Sequence, residues 1–190
     1  MEVYLIRHTQ PQVEKGVCYG QSDVLVKDSF QEEVNKLLKH LPKTIDTVYA
    51  SPLMRCQKLA KELKASSSIQ TDKRLMELNF GDWEMKKWDE IDQTELNKWM
   101  KDFVNVKVPN GESFTEMNTR VSSFAEELLK KEHKTAAVVA HAGVIRCLVA
   151  LVLEIPLKNA FKIPVDHSSV TKINVGTDNC FGNIEYLNRV

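Results

Sequence analysis

The chain carries no excess of charge of either sign. Lysine and arginine number 26 and aspartate and glutamate 26 among 190 residues, so the formal net charge is zero. That balance excludes a global basic field of the kind that recruits nucleic acid or an acidic membrane, although a local basic pocket can hide in the sum. Cysteine is scarce: Cys18, Cys56, Cys147 and Cys180 form no CxxC pair, and their spacings match no zinc framework. HxH, HExxH and carboxylate-rich clusters are missing too, which argues against a metal site. Long apolar runs are absent. The longest, at 144–153, contains Arg146 and is too short to span a bilayer. Met1 to Tyr4 leads straight into a strand-like run, with no basic region, long apolar stretch and cleavage site. A reduced, cytoplasmic protein is therefore expected. There is no internal repeat and no low-complexity tail.

Hydrophobic residues make up 43% of the chain, enough for a sizeable core, and the length suits one domain over 1–190. Val3-Tyr4-Leu5-Ile6, Thr47-Val48-Tyr49-Ala50 and Ala136-Ala137-Val138-Val139-Ala140 read as short buried strands. Ile69 to Thr71, Leu75 to Leu78, Val170 to Val175 and Ile184 to Leu187 also read as extended. Apolar spacing of three and four predicts a helix from Phe30 to Leu41, ended by Pro42. Ser51-Pro52 predicts an N-cap and first helical residue, with the helix running to about Leu63. Ser113 with Glu116 predicts a capping box before a helix to about Lys131, and a further helix is expected from about Gly143 to Leu153. Alternating strands and helices give an α/β class with a mostly parallel central sheet. The stretch at about 80–118, which holds Trp83, Trp88 and Trp99, reads as an insertion or lid over one end of that sheet.

Three of the apolar strands end in polar residues of one kind: Arg7-His8, then Ser51-Pro52 with Arg55 a helical turn on, then His141-Ala142-Gly143. Ligands of open α/β sheets bind beyond the carboxyl ends of the strands, so two arginines and two histidines are expected at one edge. A fourth extended segment ends with Glu77. Arginine forks match the oxygens of a tetrahedral oxyanion. A neutral imidazole is a competent phosphoryl nucleophile. A second histidine, if protonated, stabilises equatorial oxygens, and a carboxylic acid can protonate the leaving alkoxide and then activate water. Backbone N–H groups around Ala142 and Gly143 open a helix and add anion-binding donors. Each residue alone also has a plain structural reading; a phosphate-binding module without turnover is the alternative from another class, and Glu77 argues against it. His40 and His133 read as helix-end residues, His167 as a residue that can face the pocket, and Cys18 and Cys147 as apolar packers. The tryptophans, with Met100 and Phe103, either pack the insertion or stack on an aromatic leaving group.

Leu5-Ile6-Arg7-His8-Thr9 resembles the "RHG" signature of the histidine phosphatase superfamily, which is phosphoglycerate mutase-like. Ala50-Ser51-Pro52-Leu53-Met54-Arg55-Cys56 is similar to its "SPLxR" helix, residues 77–84 to its "ExxFGxWEG" segment, and His141 to Arg146 to its "HGGxIR" motif. The resemblance implies a three-layer αβα sandwich, no cofactor and no metal. It implies His8 as the phosphorylated nucleophile, Glu77 as the proton donor, and Arg7, Arg55 and His141 around the phosphoryl group. Thr9, Met85 and Ala142 stand where the family has glycine, and Gln10-Pro11-Gln12-Val13-Glu14 replaces a run whose Asn touches phosphate. Residues 16–23 are most similar to the α-ribazole-5'-phosphate phosphatase branch of cobalamin nucleotide-loop assembly, which implies Gln21 and Ser22 near the phosphate. The chain is expected to act, as a monomer or homodimer, on a small phosphomonoester, with no nucleic acid and no membrane partner. A broad-specificity or sugar-phosphate phosphatase of the same family is the alternative, ahead of a mutase.

Overall fold

Val3, Tyr4, Leu5 and Ile6 alternate between two apolar layers, and that alternation organises the molecule. In a computed structural model, which describes residues 1–176 and 180–190, these residues lie in β1 (Glu2–Arg7). The sheet also contains β2 (Thr47–Ala50), β3 (Gln70–Thr71), β4 (Thr135–Ala140), β5 (Val170–Val175) and β6 (Phe181–Arg189), in the order β3-β2-β4-β1-β5-β6. β1 pairs in parallel with β4, β4 with β2 and β2 with β3, whereas β5 runs antiparallel to both β1 and β6. Successive side chains of a strand face opposite ways. Val3 and Leu5 thus pack with Ala136 and Val138 on one face, and Tyr4 and Ile6 with Ala137 and Val139 on the other.

Helices cover both faces, which is why the central strands read as unbroken apolar runs. α1 (Phe30–Leu37) and α2 (Met54–Ala60) bury Phe30, Val34, Leu37, Cys56 and Leu59 against the Tyr4–Ile6 face. α4 (Phe114–Leu129) and α5 (Ala142–Val152) bury Phe114, Met117, Val121, Ile145 and Leu148 against the other. This is the expected αβα sandwich with a mostly parallel sheet. The predicted capping box is present: the Ser113 hydroxyl accepts from the Glu116 N–H at 3.1 Å, and the Glu116 carboxylate accepts from the Ser113 N–H at 2.8 Å.

Four local expectations change. The helix predicted to reach Leu41 tightens into a 3-10 turn at Leu38–His40. Ser51 is not an N-cap: its N–H continues the sheet ladder to the Val139 carbonyl at 3.0 Å, and α2 starts only at Met54. The carboxylate of distant Asp23 accepts from the Met54 N–H at 2.7 Å and does the capping. The segment before Glu77 is not a strand; a 3-10 turn at Lys73–Leu75 leads into irregular chain. Finally, the stretch at about 80–118 holds an unexpected helix, α3 (Gln93–Lys101), capped by Asp92 through the N–H groups of Thr94 and Glu95. Trp83, Ile91, Trp99 and Val108 of this region join the core on the α4–α5 face, and residues 114–118 belong to α4 itself.

Candidate active site

Because β1, β2 and β4 are parallel, the residues that follow them emerge at one edge of the sheet. His8 follows β1, Ser51 follows β2 and His141 follows β4; all three are buried. The His8 backbone extends the ladder, donating to the Ala140 carbonyl at 3.1 Å and accepting from the Ser168 N–H at 3.2 Å. The rings of His8 and His141 lie 5.0 Å apart, centroid to centroid.

Two partners fix the His8 tautomer. Nδ1 lies 2.7 Å from the Thr9 carbonyl, which can only accept, so Nδ1 carries the proton. Nε2 receives the Nε–H of Arg55 at 3.2 Å and is therefore the unprotonated nitrogen. Burial, followed by the neighbouring Arg55 charge, holds the imidazole pKa well below the usual histidine range. The ring is neutral, oriented and nucleophilic at Nε2.

Arg55 is buried and held at every nitrogen. Besides His8, it donates to the Ser22 carbonyl at 2.9 Å and the Gly20 carbonyl at 2.6 Å. Arg7 donates to the Val165 carbonyl at 2.6 Å and to His167 Nε2 at 2.9 Å, while its buried Nε has no acceptor among the described residues. His167 does join the cluster, as the support of Arg7, with its ring 5.4 Å from that of His8. Burial, then the Arg7 charge, lowers its pKa to about 4. His141 contacts the Ser51 hydroxyl at 2.9 Å and the Cys56 thiol at 3.4 Å through Nε2. Burial and then the adjacent His8 push its pKa well down, so it is neutral rather than protonated at pH 7.

Glu77 approaches α5 closely. Its carboxylate accepts from the Gly143 N–H at 3.1 Å and from the Leu78 N–H at 2.9 Å. A Cβ at residue 143 would overlap Glu77 Oε1 and displace the carboxylate, so glycine there lets Glu77 lie against the helix start. The Gly143 N–H, expected to face an anion directly, is thus taken by Glu77; Ala142, just before it, is buried. With no strand beside it, the backbone before Glu77 is satisfied by an arginine. Arg120 donates to the carbonyls of Arg74, Met76 and Glu77 at 2.7, 2.7 and 3.0 Å, and is itself held by Glu112 at 2.7 Å.

Arg7, His8, Arg55 and Glu77 open onto a cleft of about 190 Å³ whose walls also include Cys18, Tyr19, Phe80 and Trp88, while His141 and His167 pack against His8 and do not line it. Gln21 and Ser22 stand one step back. The Gln21 amide donates to the Glu77 carbonyl at 3.0 Å, and the Ser22 hydroxyl to Glu84 at 2.6 Å. Glu84 was not singled out from the sequence, although it closes the Trp83-Glu84 motif. Its carboxylate also accepts from the N–H groups of Gly20 and Gln21 at 2.9 Å and of Ser22 and Phe80 at 3.1 Å. It therefore shapes the loop whose carbonyls hold Arg55. Cys18 lines the cleft, but burial, then Glu84, pushes its thiol up to about 12, so it is not a thiolate at neutral pH. His40 and His133 lie elsewhere: Tyr186 donates to the His40 carbonyl at 2.9 Å, and the His133 ring meets the Tyr49 hydroxyl at 3.4 Å. Among the described residues no group of three or more His, Cys, Asp or Glu is arranged to hold a metal ion, and no helix is long and apolar enough to cross a membrane.

Known proteins match this chain over nearly their whole length. A Hydrogenobacter thermophilus protein named "Putative phosphoserine phosphatase 2" is 30% identical, over 99% of this chain and 95% of its own. The adenosylcobalamin/alpha-ribazole phosphatase of Escherichia coli is 27% identical, over 99% of this chain and 96% of its own. The crystal structure of the alpha-ribazole phosphatase from Shigella flexneri superposes with a TM-score of 0.90 at 25% identity, covering 99% of this chain and 96% of that one. The family model for the histidine phosphatase superfamily (branch 1) matches residues 3–187, and the chain belongs to that family.

Proposed function

We propose that this chain hydrolyses phosphomonoesters through a phosphohistidine formed on His8, without a metal ion. The observation that carries this reading is the His8 tautomer, with the proton held at Nδ1 by the Thr9 carbonyl and the Nε2 lone pair turned to the Arg55 guanidinium. When the phosphate enters, the Arg55 Nε–H hydrogen bond passes from Nε2 to a phosphoryl oxygen. The freed Nε2 lone pair forms the N–P bond as the P–O bond to the leaving alcohol breaks, and the Glu77 carboxyl gives that oxygen its proton. A water then surrenders a proton to the Glu77 carboxylate and attacks phosphorus, the N–P bond breaks, and His8 and Glu77 return to their starting states. Arg7 and Arg55 carry permanent positive charge to the equatorial oxygens. His141, whose ring lies 5.0 Å from that of His8, adds to that charge once it takes the proton of an incoming monoanionic phosphomonoester. In this geometry Gln21 and Ser22 act on phosphate through Glu77 and Arg55.

The substrate we favour is α-ribazole 5'-phosphate, with a cytoplasmic role in cobalamin assembly. Similarity to two proteins named for α-ribazole phosphate supports it. A relative named for phosphoserine makes that amino acid the competing substrate. Phosphate release from an aryl phosphate, with and without chelator, tests the reaction. Loss of at least a thousandfold in His8→Ala, with no effect of chelator on the parent, is expected; full activity in the variant overturns it. A substrate panel tests the name: less than about a tenfold preference for α-ribazole 5'-phosphate over phosphoserine, roughly 1.4 kcal/mol, rejects it.

A further inference from the structure

The catalytic cleft, at about 190 Å³, is smaller than the pockets of about 300–1,000 Å³ that enclose whole small-molecule ligands. It has room for the phosphoryl group and leaves the rest of a substrate outside. Phe80 and Trp88 form one wall of this cleft and also one wall of a second, larger groove of about 640 Å³. Trp99, Phe103 and Phe161 supply the other aromatic surfaces of that groove, and Leu96 and Met100 complete it. Among the described residues, Asn97 is its one polar wall residue and no charged side chain lines it.

The rings are set to each other. Trp88 and Trp99 stack at 6.3 Å with an interplanar angle of 25°. Phe80 meets Trp88 edge-on at 5.7 Å, and Phe103 meets Phe161 edge-on at 4.7 Å. Trp83 and Trp99 are both buried, but only Trp99 also lines the groove, beside the partly buried Trp88. Met100 and Phe161 remain exposed, at 62% and 48%. Arg146 sits over the Phe161 ring at 5.0 Å with its Nε–H given to the Ile163 carbonyl, outside the groove's walls.

We infer that this groove receives the leaving alcohol and selects a neutral, flat aromatic body joined to the phosphate. The assignment rests on the phosphatase reading of the cleft and adds the chemistry of the group released. Flat rings gain from stacking and edge contacts with an aromatic wall. A small zwitterionic alcohol such as serine would bring a carboxylate to an apolar surface that offers it no cationic partner, which disfavours it. The shared Phe80–Trp88 wall ties the groove to the reacting phosphorus.

The test compares kcat/KM for 1-naphthyl phosphate, glycerol 2-phosphate and O-phosphoserine in the parent and in Met100→Glu and Phe161→Asp, which place a carboxylate in the groove. Ratios between substrates on one preparation cancel any loss of folded enzyme. The parent is expected to favour 1-naphthyl phosphate over both small substrates at least tenfold, and each variant to reduce that ratio at least fivefold. A smaller preference, or a smaller fall in the variants, overturns the groove assignment while leaving the phosphatase reading intact. Protection of the groove by a second copy of the chain has its own signature, a dimer lost in Met100→Glu with unchanged ratios, and also overturns it. Quenching of tryptophan fluorescence by 1-naphthyl phosphate, weakened in both variants but without turnover in the parent, upholds the groove and rejects the phosphatase reading.

Discussion

Arg55 gives its Nε–H to Nε2 of His8 across 3.2 Å while its two terminal nitrogens are gripped by the carbonyls of Ser22 and Gly20. One buried fork thus sets both the nucleophile's orientation and the place where a phosphoryl oxygen meets positive charge. Lysine would keep the charge and lose the fork. Arg55→Lys is expected to lower kcat/KM at least a hundredfold, about 2.7 kcal/mol of transition-state stabilisation. Steady-state kinetics on an aryl phosphate check this, and a loss under tenfold would show that charge alone suffices.

Glu84 is predicted to act at a distance through that fork. Burial pushes its carboxyl up, but the Ser22 hydroxyl and the N–H groups of Gly20, Gln21 and Phe80 outweigh burial and leave the pKa lowered. A carboxyl lowered in the folded state stabilises it above the ordinary carboxylate pKa and loses that contribution as pH falls through the lowered value. Glu84→Gln is expected to cost about 1–3 kcal/mol in urea unfolding at pH 7. It should also weaken binding of inorganic phosphate at the cleft, because Arg55 loses its frame. An unchanged phosphate affinity would limit Glu84 to a structural part.

The histidines set the pH response. His8 and His141 are held well below the usual range, and His167 at about 4, so all three are neutral in the folded protein at pH 7. The unfolded chain binds protons on these residues near 6.5, before the folded one does. Stability is therefore full above about 6.5 and falls as pH drops from there toward the lowered folded values. Melting temperatures from pH 7.5 to 5 should show this slope, reduced in His167→Asn. The acid limb of kcat/KM is expected below 6.5; a limb above it would mean that His8 is easier to protonate than its surroundings imply.

Met85, which follows the segment resembling "ExxFGxWEG" where that motif carries its last glycine, adopts a left-handed backbone, φ 64°. Its N–H is bound to the Cys18 carbonyl at 2.7 Å, which fixes that conformation, and its side chain is exposed. A left-handed conformation costs a residue with a Cβ about 1–2 kcal/mol, part of which glycine returns as unfolded-state entropy. Met85→Gly is expected to raise stability by about 0.5–1 kcal/mol in denaturant titration with little change in kcat.

The sequence made the sandwich legible because β1 and β4 are buried on both faces and so read as continuous apolar runs. It also placed Arg7, His8, Arg55 and His141 at one edge, since parallel strands deliver their ends together. What it concealed were polar bonds between distant segments. Nothing local marks Arg120 as the donor that replaces a strand beside Met76 and Glu77, or Asp23 as the cap of α2. Ser51-Pro52 carried a helix-start pattern, yet the sheet ladder and His141 claim Ser51 instead. The α3 signal was present as Asp92 followed by Glu95, but lay in a stretch whose tryptophans obscured the helical period. Gln21 and Ser22 matched a family stretch, although their side chains serve Glu77 and Glu84.

The central claim is a covalent bond from phosphorus to Nε2 of His8, and rapid-quench trapping reads it directly. The parent protein, mixed with a 32P-labelled aryl phosphate and quenched in alkali, should carry acid-labile label that maps to the peptide containing His8. Phosphorus NMR of the denatured protein should assign it to Nε2, and His8→Ala should carry none. Label on another residue, or turnover by His8→Ala at the parent's rate, would contradict the account.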